Sequence, residues 1–319
     1  MKVFVAGKNG MVGSSIIRKL STNKKIDVVS ATSSDLDLTD QNATNNFFKK
    51  NKFDQVYLAA AKVGGIYANN TYPADFIYNN LQIQNNVIYA SFNTDVKRLL
   101  FLGSSCIYPN TFKDPIKEED LLSSKLEKTN EPYAIAKIAG IKLCESFNRQ
   151  HSTDFRSVMP TNLYGPGDNY SPKNSHVIPA LIHKFYQAKV GEQKVVEVWG
   201  TGTPKREFMY VDDLADACIF VMSIEKEIYQ QVSQNAHINI GSSEDISIKK
   251  LSELIGNLIG FDGDIVFNST YPDGTYRKIM DSSRMYSLGW QPKISLVNGL
   301  KMAIQDYSLS ISQNLLRMK

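Results

Sequence analysis

A serine and a cysteine, Ser104 and Cys106, are followed by a tyrosine and a lysine four residues apart, Tyr133 and Lys137. At helical spacing the last two lie one turn from each other on one face. That geometry suits a phenol that must give or take a proton. A free phenol has a pKa of about 10, and a neighbouring ammonium favours the phenolate and draws the value toward neutrality. Ser104 would then hydrogen-bond the carbonyl of a substrate.

These groups need a frame. Val3-Phe4-Val5-Ala6 reads as a buried strand, Gly7-Lys8-Asn9-Gly10-Met11-Val12-Gly13 as a glycine turn, and Ser14 to Leu20 as a helix. In a strand, turn and helix of this kind the backbone amides approach a pyrophosphate at the positive end of the helix. Strands are expected at 27–30, 55–59, 98–102 and 155–159, and helices at 42–50, 73–92 and up to about 150. Thr129-Asn130-Glu131-Pro132 supplies an N-cap and an early proline for the helix that carries Tyr133. Strands alternating with helices give an α/β fold with a doubly wound parallel (Rossmann) sheet. Beyond Pro160 the texture becomes loop-rich, which places a second, smaller α/β substrate domain there. The expected division is 1–163 for the dinucleotide and 164–319 for the substrate, with segments near 207–241 returning to the first domain.

The cofactor is read from the end of the second strand. NAD-preferring folds place a carboxylate there for the ribose 2′-hydroxyl, whereas here stand Ser30-Ala31-Thr32-Ser33-Ser34. Its absence favours NADP(H), with Lys8 or Ser33 serving the 2′-phosphate; Asp35 and Asp37 read as turn and adenine-edge residues.

With 319 residues, 42% hydrophobic and 21% charged, the chain can bury a large core. A net charge of +4 with dispersed basic residues gives no reason to expect a nucleic-acid partner. Cys106, Cys144 and Cys218 form neither a CxxC pair nor an even framework, which points to a reducing compartment, no metal and a cytoplasmic location. No apolar run is long enough for a signal peptide or a membrane span.

The glycine turn, Ser104, Tyr133 and Lys137 in this order resemble the extended short-chain dehydrogenase/reductase superfamily. The segments Ala59 to Ile66, Asn69 to Asp75, Gly103 to Pro109, Asn130 to Tyr133, Arg156 to Tyr164, Ser175 to Pro179 and Trp199 to Thr203 resemble, nearly end to end, the GDP-L-fucose synthase family within it. The resemblance implies an enzyme that takes GDP-4-keto-6-deoxy-D-mannose, epimerises C3 and C5, and reduces C4 with NADPH. It implies Cys106 and His176 as the acid–base pair of epimerisation, which needs one group to remove a proton and another to return it on the opposite face. It adds Leu102, Gly103, Ser105, Pro160, Thr161, Asn162, Leu163 and His176 to the cofactor contacts, beside Ser104 and Lys137. For the GDP moiety it points to Lys184, Trp199, Arg206 and Asp273, although Trp199 could equally be core. Arginines of relatives become Ala31 and Ser33 here.

The resemblance also implies a homodimer through the helices 73–92 and 133–150, whose apolar stripes contain Phe76, Ile77, Leu81 and Ile88 on one and Ile138, Ile141 and Phe147 on the other. Two other readings stand beside the first. One is a C4 reductase, with or without epimerisation, for a related GDP-4-keto sugar such as a colitose or heptose intermediate. The other is a noncatalytic NADP-binding sensor.

Overall fold

The computed structural model describes residues 1–109, 115–172, 175–234, 237–271 and 273–318, and only the backbone of 66 and 67. The first half alternates β1 (Lys2–Ala6), α1 (Met11–Leu20), β2 (Asp27–Ala31), α2 (Gln41–Asn51), β3 (Gln55–Leu58), α3 (Ile66–Thr71), α4 (Pro73–Asn93), β4 (Arg98–Leu102), α5 (Glu131–His151) and β5 (Phe155–Pro160). The second half holds β6 (Asn162–Tyr164), α6 (Val177–Val190), β7 (Val195–Trp199), β8 (Lys205–Tyr210), α7 (Val211–Ser223), α8 (Lys226–Ser233) and β9 (His237–Ile240). It ends with β10 (Asp245–Ser247), α9 (Ile248–Ile259), β11 (Asp264–Asn268), β12 (Arg277–Lys278), α10 (Ser283–Ser287) and α11 (Leu296–Ser312).

Six parallel strands form the central sheet in the order β2-β1-β3-β4-β5-β9. Such strands are covered on both faces and so are largely apolar, Arg156, Ser157, His237 and Asn239 being buried exceptions. Their side chains alternate: Val3, Val5, Leu100 and Leu102 enter the core beneath α1 and α7, while Phe4, Ala6, Leu99 and Phe101 enter the core beneath α2, α4 and α5. Progression reverses between β1 and β3, and a ligand crevice is expected outside the carboxyl ends of strands at such a point.

Residues 211–234 and 237–240 belong to this layer, since α7 packs on α1 and β9 extends the sheet; Met285 and Trp290 also join its core. Beyond the strands' carboxyl ends lies a smaller assembly in which β8 pairs with β6, β10 and β12, and β7 pairs with β11. Helices α6, α9 and α11 cover it with a core that includes Phe185, Ile255 and Tyr307.

Two local expectations change. The Asn130 side chain does not cap α5; the Glu127 carboxylate accepts the N–H groups of Thr129 and Asn130 at 3.1 Å each. Of the stripes expected to meet a second copy, Phe76, Ile88, Ile138 and Ile141 are buried within the chain, because α4 and α5 pack on each other and on the sheet. The apolar residues these helices turn outward are Tyr78, Tyr89 and Ile135. Among the described residues no helix is long and apolar enough to cross a membrane.

Candidate active site

Backbone contact, not composition, dictates the glycines of the first turn. Gly7 has φ +96°, and a Cβ there would lie 2.8 Å from Ala60 N on the neighbouring strand's extension. At Gly13 it would lie 2.1 Å from the Gly7 carbonyl oxygen. Gly10 N donates to Gly7 O at 2.9 Å, and no side chain caps α1, so the amides of its first turn face the crevice unspent. That is a cradle for a diphosphate. Above it opens a cleft of about 680 Å³.

The cleft collects residues from segments distant in the chain. Gly7 to Val12 form its floor, Ala31 to Ser33 one end, and Leu102 to Cys106 its middle, with Tyr133 and Lys137 from α5, Pro160 to Leu163 from β5 and β6, and His176 at its rim. Gly13 sits behind the turn as a packing position. At the β2 end the Asp35 carboxylate is committed to Thr32, accepting its N–H at 3.0 Å and its hydroxyl at 2.6 Å, and Asp37 is committed to Thr39. The described residues there suit a 2′-phosphate: small and hydroxylated, with Lys8 close enough to lower the Asp35 pKa further.

Ser104 begins a short 3₁₀ turn, Ser105–Ile107, that presents Cys106; its hydroxyl accepts the Cys106 N–H at 3.3 Å and lines the cleft with the Tyr133 phenol. Tyr133 is nearly buried, its ring edge-on to Phe76. Burial raises its pKa above the ordinary phenol value, Cys106 acts in the same direction, and the nearby Ser104 hydroxyl opposes both. Lys137, buried, donates from Nζ to Leu102 O at 2.8 Å and lies 5.9 Å from the centre of the Tyr133 ring. Burial pushes its pKa down to about 7. The expected pull of Lys137 on the phenol is therefore not what governs this geometry. Desolvation dominates both groups and disfavours the charged form of each, which moves a phenol up and an amine down.

His176 stands at the N-cap of α6, where burial lowers its pKa. Cys144 and Cys218 lie in the cores, their thiols pushed up by burial, consistent with packing roles.

Lys184, Trp199, Arg206 and Asp273 gather apart from the cleft floor, on the second assembly. Trp199 is 53% exposed, which settles the choice between surface and core; its indole stacks on Tyr271 at 4.4 Å and 14°, with Lys184 Nζ 4.9 Å from its centre. Asp273 holds the loop after β7, accepting Thr201 N–H at 2.9 Å and its hydroxyl at 2.6 Å. Arg206 donates to the carbonyls of Lys205 and Thr275. Sequence reasoning missed Tyr271, whose only signal is an aromatic beside Asp273, and missed Asp168 and Arg317, which line the main cleft from the loop after β6 and the segment after α11.

The pattern of the NAD dependent epimerase/dehydratase family matches residues 3–241. The chain is 54% identical over 306 residues to the GDP-L-fucose synthase of Escherichia coli (strain K12), covering 95% of both chains. Its structure is similar, with a TM-score of 0.91 and 39% identity over 97% of this chain and 98% of the other, to a GDP-6-OMe-4-keto-L-xylo-heptose reductase from C. jejuni. It is also similar, with a TM-score of 0.88 and 28% identity over 98% and 93%, to a GDP-L-fucose synthetase from Naegleria fowleri bound to NADP.

Proposed function

The chain belongs to the NAD dependent epimerase/dehydratase family, and within it to the GDP-L-fucose synthases, and from that membership we propose that it turns GDP-4-keto-6-deoxy-D-mannose into GDP-L-fucose. It is an NADP(H)-dependent oxidoreductase with epimerase activity. The observation that carries the reading is the meeting, in one cleft, of an uncapped helix start with Ser104, Cys106, Tyr133, Lys137 and His176.

Residues 1–163, with the return near 207–241, would hold the dinucleotide, and 164–319 the nucleotide sugar. The glycine turn, Lys8 and Ser33, with Leu102 to Ser105 and Pro160 to Leu163, would line the cofactor's path. When bound, NADPH supplies the hydride for C4.

The protein's own groups manage protons and charge. A proton beside a ketone becomes removable when the ketone oxygen can carry negative charge. Ser104 and Tyr133, which line the same cleft, are placed to donate toward that oxygen. Cys106 and His176 take opposite parts at C3 and C5, one removing a proton and the other returning one on the opposite face. His176 suits this exchange because an imidazole both accepts and gives a proton close to neutral pH, and desolvation in the cleft lowers its pKa. In the reduction Tyr133 gives its proton to the C4 oxygen. A phenol whose anion is disfavoured by burial is a reluctant acid, so Lys137, poised at about 7, is the group that restores or compensates the charge beside it. Lys184 and Arg206 would meet the GDP phosphates, Trp199 would offer a stacking face, and Asp273 would order the loop that bears Thr201.

Incubation with GDP-4-keto-6-deoxy-D-mannose and NADPH in deuterium oxide tests this. GDP-L-fucose labelled at C3 and C5 is the expected product. A C4-reduced product without label would favour the second reading, a reductase of a related GDP-4-keto sugar, toward which the heptose reductase likeness points.

We further propose a homodimer in which the outer faces of α4 and α5, bearing Tyr78, Tyr89 and Ile135, meet their copies. A monomer in sedimentation at micromolar concentration would rule it out. The three unpaired thiols and the use of NADPH support a cytoplasmic setting, which cell fractionation would check.

A further inference from the structure

The loop after β6 folds back over the glycine turn: a Cβ on Gly167 would sit 3.9 Å from Met11 Cα and 4.0 Å from Ser14 Oγ, at the first turn of α1. Asp168 follows it and is 6% exposed. Its Oδ1 accepts the Asn169 N–H at 2.7 Å, but Oδ2, shut off from solvent, has no hydrogen-bond partner.

The segment after α11 returns to the same place and is anchored there. Tyr170 N donates to Arg317 O at 2.9 Å, Leu316 packs into the core of the second assembly, and Arg317 Nη1 donates to Gly167 O at 3.2 Å. Arg317 Nε is buried and also lacks a partner. Asp168 and Arg317 line the cleft whose floor is the glycine turn.

Buried polar atoms left unpaired are costly and call for an explanation, and two of them on one cleft wall, of opposite sign, call for a ligand. Burial raises the Asp168 carboxyl to about 7, so it only partly offsets the guanidinium, whose charge reaches into the cleft. A guanidinium forks onto phosphate oxygens. In the same cleft the uncapped amides of α1 favour an anion as well.

We propose that Arg317, held at this wall by the Gly167 carbonyl, is a second anion-binding group on the diphosphate of the bound dinucleotide, beside the α1 amides. The proposal rests on the reading of this cleft as an NADP(H) site. It supplies the positive charge that neither the glycine turn itself, beyond Lys8, nor the end of β2 provides.

Dissociation constants for NADPH and NADH, from nucleotide fluorescence, and for GDP, from calorimetry, decide it. Arg317→Gln weakens NADPH and NADH by the same factor, roughly ten-fold for the loss of one charge-assisted pair, and leaves GDP unchanged. The Asp168→Asn, Arg317→Gln double variant binds no more weakly than Arg317→Gln, because a carboxylate on the same wall offers an anion no attraction of its own. Unchanged constants at an unchanged melting temperature overturn the proposal. A loss confined to NADPH places Arg317 on the 2′-phosphate, and a loss confined to GDP places it on the nucleotide sugar; both overturn it too. If Arg317→Gln does not fold, Arg317→Lys carries the test, with a loss of roughly three-fold expected from the missing fork and an unchanged constant overturning it. Failure of the unaltered chain to bind NADPH would instead remove the cofactor reading.

Discussion

Lys137 Nζ donates a 2.8 Å hydrogen bond to the carbonyl oxygen of Leu102, tying the helix that carries Tyr133 to the strand end that precedes Ser104. The bond joins the two halves of the proposed catalytic set, and it is made by an amine that burial holds at about 7.

This makes stability depend on pH with a definite sign. Between about 7 and the ordinary lysine value of about 10.4 the unfolded chain binds the proton that the folded chain does not, so this residue makes stability rise with pH across that window and contributes no slope below it. Urea midpoints of the unaltered protein and Lys137→Met, compared at pH 6, 7, 8 and 9, should draw apart in favour of lysine only above pH 7. A constant difference would show that Lys137 titrates near its ordinary value.

Tyr133→Phe removes a proton donor and almost nothing else, since the ring's contact with Phe76 survives. Loss of C4 reduction by roughly 10²- to 10⁴-fold is expected from the usual contribution of a positioned acid, with the NADPH dissociation constant little altered. Turnover at the original rate would remove the phenol from the mechanism.

Cys106→Ser and His176→Asn should each stop or strongly slow the uptake of solvent deuterium at C3 and C5. An already epimerised ketone should still be reduced at close to the original rate by Cys106→Ser, because Ser104 and Tyr133 are intact. Mass spectrometry of the recovered sugar reads both outcomes, and persistent exchange would move the base to another residue.

Gly13→Ala places a methyl 2.1 Å from the Gly7 carbonyl oxygen, where no flexible side chain can yield. Overpacking of this kind costs about 1–3 kcal/mol, and the turn must open to relieve it. A lower melting temperature together with weaker NADPH binding is expected, and calorimetry checks both. Unchanged binding would mean that the turn does not hold the diphosphate.

NADPH should bind more tightly than NADH, because Asp35 is committed to Thr32 and so is not free to accept the ribose 2′-hydroxyl of NADH, while Lys8 stands near for a 2′-phosphate. Ser33→Asp should erase most of that preference, an effect of roughly ten-fold for a carboxylate set beside a phosphate. Equal dissociation constants in the unaltered protein would contradict the reading of the β2 end.

Much of this was legible locally. The apolar run of β1, the glycine spacing behind it and the four-residue interval from Tyr133 to Lys137 report their own conformation, because helix and turn geometry depend on neighbours in the chain. The alternation of elements likewise leads to the parallel sheet. Hidden from the sequence was everything set by contact between distant segments. The Tyr133 phenol rises where the helix pattern alone suggests a fall, since burial depends on what covers it. Phe76, Ile88, Ile138 and Ile141 face inward because α4 packs on α5, a pairing that no periodicity specifies. Trp199 finds its stacking partner in Tyr271 from another strand's far end.

What the amino-acid order determined by itself is therefore the set of chemical groups and the elements that carry them. The folded chain decided how those groups ionise and which of them share a wall, bringing Arg317 to Gly167 across 150 residues of sequence. The reason is physical: dihedral preference and hydrophobic periodicity act over a few residues, whereas desolvation and charge pairing act through space.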